Sequence, residues 1–437
     1  MEIRRTLLVG AAMLLAMAVL VFVLWQEQVR GAEKYRTSEI KQSVRRVRLP
    51  AVRGLIYDRN GVCLARNRPS YCIALYVEEL RQRGKLVNTI DEIERVILRL
   101  SDLLELPREV DRDDIRNHLR RRMPIPFLAW KNIGRAAVAR WSEKSIVEPG
   151  VDVYVEPVRE YPQPDVLGHV LGYVGRAPLP EETREKIHYY LPEMEGKTGI
   201  ERSFDDVLNG RPGGRLLRVD ASGFRHDIMA ERPAAEGESI VLTIDVELQR
   251  AVERALEGER GAAVMLDPRN GDVLALASAP AFDPSIFTPS ISAADWNLLN
   301  TDDARPLFNR AISGTYPPGS TFKPVVALAS LENGRATPAT EYACPGYFKL
   351  GRATFKCWYR LGHGRVKMRK AVEQSCNSYF CQLGLAAGYE TIYHMADALG
   401  FGHETGIELP GESSGLLPNE AWKRRRGYGG WRAGDTC

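Results

Sequence analysis

From Thr6 to Trp25 twenty residues pass without a charge, most of them Leu, Val, Ala or Met. A helix of that length, at about 1.5 Å per residue, spans about 30 Å, the hydrocarbon thickness of a bilayer. Arg4 and Arg5 precede the run, so the positive-inside rule puts residues 1–5 in the cytoplasm and the bulk of the chain outside. A cleaved signal peptide is the competing reading. The run is too long for one and no A-x-A site follows it, so an uncleaved anchor over 6–25 is expected, with membrane lipid as a partner.

Beyond the anchor the period changes. Residues 26–48 are charged and helix-permissive, as a stalk is. Leu55-Ile56-Tyr57 and Val62-Cys63-Leu64-Ala65 read as short strands turned at Asn60-Gly61. Over 86–122 apolar residues recur at helical spacing, Ile90, Ile93, Val96, Ile97 and Leu100 among them, and predict amphipathic helices that pack a core or present a head to a partner. A strand-like run from Ile240 to Ile244, then a helix carrying Leu248, Val252 and Leu256, opens a second domain. Gly261–Pro268 and Asp272–Ala277 predict a strand pair turned at Arg269-Asn270-Gly271. The expected class is α+β, with domains over 26–235 and 236–437.

Composition adds limits rather than direction. At 437 residues, 44% hydrophobic and 27% charged, the chain has room for two or three ordinary globular domains. A net charge of +4 is small for this length, and nucleic acid is not suggested as a partner.

The chemistry gathers in Tyr316-Pro317-Pro318-Gly319-Ser320-Thr321-Phe322-Lys323-Pro324. Ser320 and Lys323 are three apart and share a helix face. Pro324 is tolerated only in a first turn, so the helix begins close to Ser320, where unpaired N–H groups and the helix dipole favour developing negative charge. A neutral lysine beside a hydroxyl is a nucleophile with its own base. S-x-x-K alone is weak: Ser38-Glu39-Ile40-Lys41 repeats it and reads as a solvated helix face.

Arg305–Gly314 upstream and Ser375-Cys376-Asn377 downstream make the second match specific. Here the chain resembles the penicillin-binding transpeptidases, whose S-x-x-K and S-x-N motifs meet in one cleft. The likeness covers nearly the whole chain. Arg53–Asn67 is similar to the first motif of the non-catalytic pedestal domain of class B penicillin-binding proteins, and Arg159-Glu160-Tyr161-Pro162 and Gly168–Gly175 continue it. Gly196–Glu201 resembles the pedestal's G-x-x-G-I-E signature. Its Lys197-Thr198-Gly199 precedes the nucleophile and is a decoy for the third transpeptidase motif, and His169 reads as structural.

Seven cysteines, an odd number, argue against an all-paired disulfide framework. Cys344, Cys357, His363 and Cys376, spaced C-x12-C-x5-H-x12-C, have the composition of a closed structural zinc shell; a disulfide among them or buried thiols is the alternative. The elongation-type subfamily that the chain resembles carries zinc at similar positions, beside the active centre. With Cys376 between Ser375 and Asn377, alternate side chains then face metal and cleft. Cys63 and Cys72 make a candidate disulfide across a hairpin turned near Asn67, and Cys381 is expected in the core.

The resemblance implies acyl transfer from peptidoglycan stem peptides. Ser320 attacks, Lys323 is general base, Ser375 relays a proton to the leaving amine, and Asn377 bonds Lys323 or the substrate amide. β-Lactams trap Ser320, and the implied partners are a polytopic glycosyltransferase and other elongation-complex proteins at a bacterial inner membrane. The family's K-[ST]-G strand lies beyond the last residue, Cys437, so the partial transpeptidase domain is expected to be poorly active or unstable by itself. Two other readings are a D,D-carboxypeptidase or β-lactamase using water as acceptor, and a non-catalytic activator of a glycosyltransferase.

Overall fold

The computed structural model describes residues 2–26, 28, 44–121, 125–144, 149–178, 189–190, 193–219 and 225–437. They divide into two compact units, Met1–Val246 with Asp283–Asp295, and Glu247–Phe282 with Trp296–Cys437. Both mix helices and strands in the α+β manner.

Helix α1, Glu2–Trp25, contains the whole apolar run. Among residues described with their side chains, no helix is long and apolar enough to cross a membrane. Within α1 those residues are Gly10 and 12–25, the latter about 21 Å of helix.

The first unit carries β1 (Val44–Leu49), β2 (Ile56–Tyr57), β3 (Cys63–Leu75), β4 (Phe127–Ile133), β5 (Val151–Glu160), β6 (Gly213–Val219), β7 (Arg225–Arg232) and β8 (Ile240–Val241). β1 pairs antiparallel with β6, and β6 with β7. In a second sheet β8 runs parallel to β2, β2 pairs with β3, and β3 is flanked by β4 and β5. The hairpin expected at Asn60-Gly61 is present: Asp58 Oδ1 accepts from the amides of Asn60 and Val62, each at 2.8 Å, and Gly61 takes φ +83°.

Helices α2 (Leu86–Leu104), α3 (Arg112–Arg120) and α4 (Arg135–Lys144) close over β3 and β4. The α2 periodicity is core packing, because Ile90, Ile93, Val96, Ile97 and Leu100 are buried with Trp130 and Ile73. α3 opens on a capping box, with Asp111 Oδ1 taking the Asp114 amide at 2.8 Å and Asp114 Oδ2 the Asp111 amide at 2.9 Å.

Three expectations are corrected here. The helix-permissive stalk ends in a strand, since Val44–Leu49 is β1, and residues 29–43 lie outside the described residues. No hairpin turns at Asn67: β3 runs through it for 13 residues, pairing with β5 from Arg66 to Leu75. Cys63 and Cys72, nine residues apart on one extended strand, stand about 30 Å apart and are both free, far beyond disulfide reach. The Ile240–Val241 strand pairs with β2, and the chain divides into its two units between Val246 and Glu247.

In the second unit helix α5 (Val246–Ala255) precedes the hairpin β9 (Gly261–Leu266) and β10 (Val273–Ala279). Its turn is the one expected, with Gly271 at φ +82° donating to the Asp267 carbonyl at 2.8 Å. After α6 (Lys323–Glu332) come β11 (Glu341–Cys344), β12 (Tyr347–Leu350), β13 (Ala353–Lys356) and β14 (Gly364–Lys367). They make two small antiparallel ribbons, β11 with β14 and β12 with β13. Helices α7 (Met368–Glu373), α8 (Asn377–Ala387) and α9 (Tyr389–Ala398) follow, and α6 packs between α8 and α9. Val326, Ala329, Ala371, Tyr379 and Leu383 form the core of this packing, and Cys381 is buried on α8.

Candidate active site

Pro317, Pro318 and Gly319 bring the chain into a 3-10 turn over Gly319–Phe322, which continues into α6 with Pro324 in its first turn. Ser320 thus sits at the helix start, on an exposed backbone turn, with its carbonyl accepting the Lys323 amide. Lys323 points into the unit. Its Nζ donates to the Ser375 carbonyl at 2.8 Å, to Ser375 Oγ at 2.9 Å and to Asn377 Oδ1 at 2.6 Å. Three acceptors match the three protons of an ammonium group. Burial draws the Lys323 pKa below its ordinary 10.5, while the thiols of Cys357, Cys376 and Cys381 act the other way.

The Ser375-Cys376-Asn377 segment joins α7 to α8. The Ser375 amide bonds the Val372 carbonyl and the Cys376 amide bonds the Ala371 carbonyl, wrapping the end of α7. This forces Ser375 to φ +46°, a conformation costly for a residue with a Cβ. Asn377 is pinned from its other end, its Nδ2 donating to the Lys356 carbonyl at 3.2 Å.

Behind this segment lie the four soft donors. The ligand atoms of Cys344, Cys357, His363 and Cys376 all lie within 4.8 Å of one another. His363 Nδ1 is 3.5 Å from Cys344 Sγ and 3.6 Å from Cys357 Sγ, and its buried Nε2 has no hydrogen-bond partner among the described residues. Burial pushes the Cys376 thiol up to about 12, and the adjacent cysteine sulfurs push it the same way. Cys376 faces this cluster while its neighbours Ser375 and Asn377 face Lys323.

The other motifs fall elsewhere. Ser38–Lys41 lies outside the described residues. Lys197-Thr198-Gly199 is a structural turn of the first unit: Gly199 has φ +59°, and a Cβ there meets the Gly172 nitrogen at 2.5 Å. His169 is buried in the short helix Gly168–Leu171. What the motifs of the first unit do was not legible in the sequence. Glu201 is fully buried and gathers Arg53, at 2.6 Å, and Arg159, at 2.7 Å, so the three pedestal-like segments converge on one carboxylate.

Residues 48–242 match the penicillin-binding protein dimerisation domain and residues 261–434 the penicillin binding protein transpeptidase domain. A peptidoglycan D,D-transpeptidase MrdA of Acinetobacter baumannii is 36% identical over 415 residues, 94% of this chain and 60% of that relative. The MrdA of Escherichia coli K12 is 34% identical over 443 residues, 99% of this chain and 68% of that relative. The chain therefore spans between three fifths and about two thirds of these relatives' length. The structure of a complex between penicillin-binding protein PBP2 and MreC from Helicobacter pylori superposes with a TM-score of 0.75 at 29% identity, over 90% of this chain and 72% of that one. Two domain matches in the order of the two units, and a third of all residues shared along nearly the whole length, lead to one conclusion: the chain belongs to the class B penicillin-binding proteins, in the family of the MrdA (PBP2) peptidoglycan D,D-transpeptidases.

Proposed function

We propose that this protein cross-links peptidoglycan stem peptides during cell-wall elongation, through an acyl ester on Ser320. The observation that carries the proposal is the Lys323 nitrogen held by Ser375 and Asn377, on a residue three positions after Ser320 along the turn that opens α6. Lys323 must be neutral to act. Burial favours that form, and with two N–H bonds kept to the Ser375 carbonyl and Asn377 the amine has a lone pair free for the Ser320 proton. Ser320 Oγ then attacks the carbonyl of the penultimate D-Ala and the C–N bond to the terminal D-Ala breaks. The departing amine receives its proton through the Ser375 hydroxyl, which bonds the protonated Lys323. An amine of a neighbouring stem peptide attacks the ester and gives a proton to Lys323, which passes it to Ser320 Oγ as the ester C–O bond breaks, so that the new amide, the free hydroxyl and the neutral amine result. A β-lactam is a mimic of the acyl donor and stops at the ester.

The four donors beside this centre are assigned to a structural zinc ion. For tetrahedral bonds of about 2.3 Å to sulfur and about 2.05 Å to nitrogen, the S···N edge is about 3.6 Å. The His363 nitrogen lies 3.5 and 3.6 Å from two of the sulfurs. Cys344, Cys357, His363 and Cys376 would hold such an ion, which would supply no chemistry at Ser320 but would fix the backbone around Cys376, and with it the side chains on either side.

Residues 6–25, inside α1, are assigned as a single inner-membrane anchor with the N-terminus cytoplasmic and the chain beyond residue 25 outside. A related PBP2 was solved with MreC, which supports elongation-complex proteins as partners; a polytopic glycosyltransferase is part of the same proposal. The test is labelling of the product of the gene that encodes these residues with a fluorescent penicillin, followed by peptide mass mapping. Labelling at Ser320, abolished by Ser320→Ala, is expected. Labelling of another serine, or full growth and cell shape with Ser320→Ala as sole copy, replaces this reading with the non-catalytic activator.

A further inference from the structure

A net charge of +4 conceals a local imbalance. Between Tyr342 and Val372 the chain has eight Lys and Arg residues and no Asp or Glu. All eight are exposed, and among the described residues only Arg365 and Lys370 make an ion pair, with Glu341 and Glu373 at the two borders. The ribbon β12–β13 and the loop after it carry Lys349, Arg352, Lys356 and Arg360 without a counter-charge. Four like charges so close together repel one another, so the fold does not gain from them.

Aromatic groups lie among these cations. Tyr347 stands directly across the ribbon from Lys356, with Lys349 two residues along on the same face. The loop between Cys357 and His363 then turns Trp358 (64% exposed), Tyr359 (41%) and Leu361 (83%) outward. Single exposed apolar residues are ordinary, but three within four positions, set beside unpaired cations, mark an interaction surface. The loop is held at both ends by the four-donor cluster, and in between by the Trp358 indole donating to the Gln374 carbonyl at 2.8 Å. The surface is therefore a built one. It also adjoins the proposed acyl-transfer centre, because Gln374 precedes Ser375 and the Lys356 carbonyl holds Asn377.

We infer that this basic and aromatic surface binds the glycan strand whose stem peptides are to be cross-linked, its cations meeting the peptide carboxylates and its rings the apolar faces of the sugars. The inference rests on the acyl-transfer reading for its choice of polymer. Anionic phospholipid or nucleic acid meets the same cations. Neither has a reason to lie within two residues of Ser375 and Asn377, whereas a polymer carrying the acceptor amine must.

The experiment compares the full protein in detergent with Lys349→Glu/Arg352→Glu/Arg360→Glu, and with the corresponding neutral Gln triple variant in case charge reversal impairs folding. Co-sedimentation with purified sacculi is expected to weaken at least tenfold for the Glu variant and to a lesser degree for the Gln variant. Wild-type binding should fall as ionic strength rises. Fluorescent-penicillin labelling of Ser320 needs no strand and should be unchanged in both variants. Equal sedimentation of variants and wild type, equal binding to sacculi with amidated carboxyl groups, or a charge-dependent capture by anionic lipid vesicles as strong as that by sacculi overturns the inference. Failure of penicillin to label Ser320 in any of the proteins overturns the acyl-transfer reading instead, and the sedimentation result is scored separately.

Discussion

The Nζ of Lys323 stands 2.6 Å from the Oδ1 of Asn377, two groups that are 54 residues apart in sequence. This contact determines a pH response. In the proposed reaction the active amine is the neutral form, and burial lowers its pKa, so acylation is expected to be lost as pH falls through a value below the ordinary 10.5 and to be complete above it. Asn377→Asp puts a carboxylate in the same place, favours the ammonium form and moves the limb to higher pH. Each unit of movement slows acylation about tenfold at neutral pH, with recovery at high pH. The rate of reaction with a chromogenic cephalosporin between pH 6 and 10 reads this out. A limb that stays in place in the variant shows that Lys323 is not the titrating base.

Ser375 separates stability from chemistry. Its φ of +46° costs about 1 kcal/mol for any residue with a Cβ, a strain glycine does not feel. Ser375→Gly is therefore expected to melt above Ser375→Ala by about 2–4 °C. Both variants lose the hydroxyl proposed as the relay, and turnover of a D-Ala-D-Ala ester is expected to fall by about 100-fold in each. Equal turnover in wild type and Ser375→Gly removes the relay.

For the four-donor cluster the expected metal content is one zinc per chain, measured by plasma mass spectrometry. Cys357→Ser or a strong chelator takes away an interaction that orders both ribbons and the Cys376 segment. A loss of about 3 kcal/mol, or about 10 °C in Tm, is expected, together with slower penicillin acylation. An intact mass short by two hydrogen atoms per cysteine pair, with no zinc, identifies a disulfide instead.

How much of this was legible depended on the range of the interaction. Ser320 and Lys323 share a turn, so their spacing alone placed them together. The partners of Lys323 were reached only through family likeness, since nothing local ties Lys323 to Asn377. The turn expected near Asn67 was placed to bring Cys63 and Cys72 together; Asn67, Pro69 and Ser70 are residues that elsewhere break strands. Long pairing with β5 overrode them, and Pro69 sits opposite Pro157, where each strand lacks the same donor. β1 shows the same override: Val44–Leu49 carries three arginines and a helix-permissive lead-in, but its six register partners are on β6, some 170 residues later. The basic surface escaped notice for the opposite reason, because the acidic residues that cancel it in the total lie outside it.

Glu201 is the next test of the first unit. It is fully buried, and its two oxygens pair with Arg53 and Arg159, themselves only 6% and 3% exposed. Arg159 also donates to the Gly54 carbonyl, and the Asn67 side chain to that of Arg53, so one carboxylate ties the starts of β2 and β3 to the end of β5. Glu201→Ala leaves two guanidinium groups without their shared counter-charge, at a cost of about 3–5 kcal/mol. An unfolding free energy for the first unit, from urea denaturation, within about 1 kcal/mol of wild type contradicts this. Penicillin acylation in native buffer reports the second unit independently.

His118 predicts an acid-sensitive first unit. Its ring is enclosed between α3 and β4, with Nε2 donating to the Ile125 carbonyl at 3.1 Å and the Phe127 ring edge-on at 5.2 Å. Burial lowers its pKa to about 4 from an ordinary 6.5, only partly opposed by that hydrogen bond. Between these two values the unfolded chain takes up a proton that the folded one refuses, so stability is full above pH 6.5 and declines as pH falls towards 4. A shift of this size corresponds to about 3 kcal/mol. His118→Gln keeps an N–H for the Ile125 carbonyl but does not titrate, and should lose about 3 kcal/mol less than wild type between pH 7.5 and 4. Parallel urea denaturation of both proteins across that range measures the difference. Superimposable pH profiles exclude His118 as the acid-sensitive group.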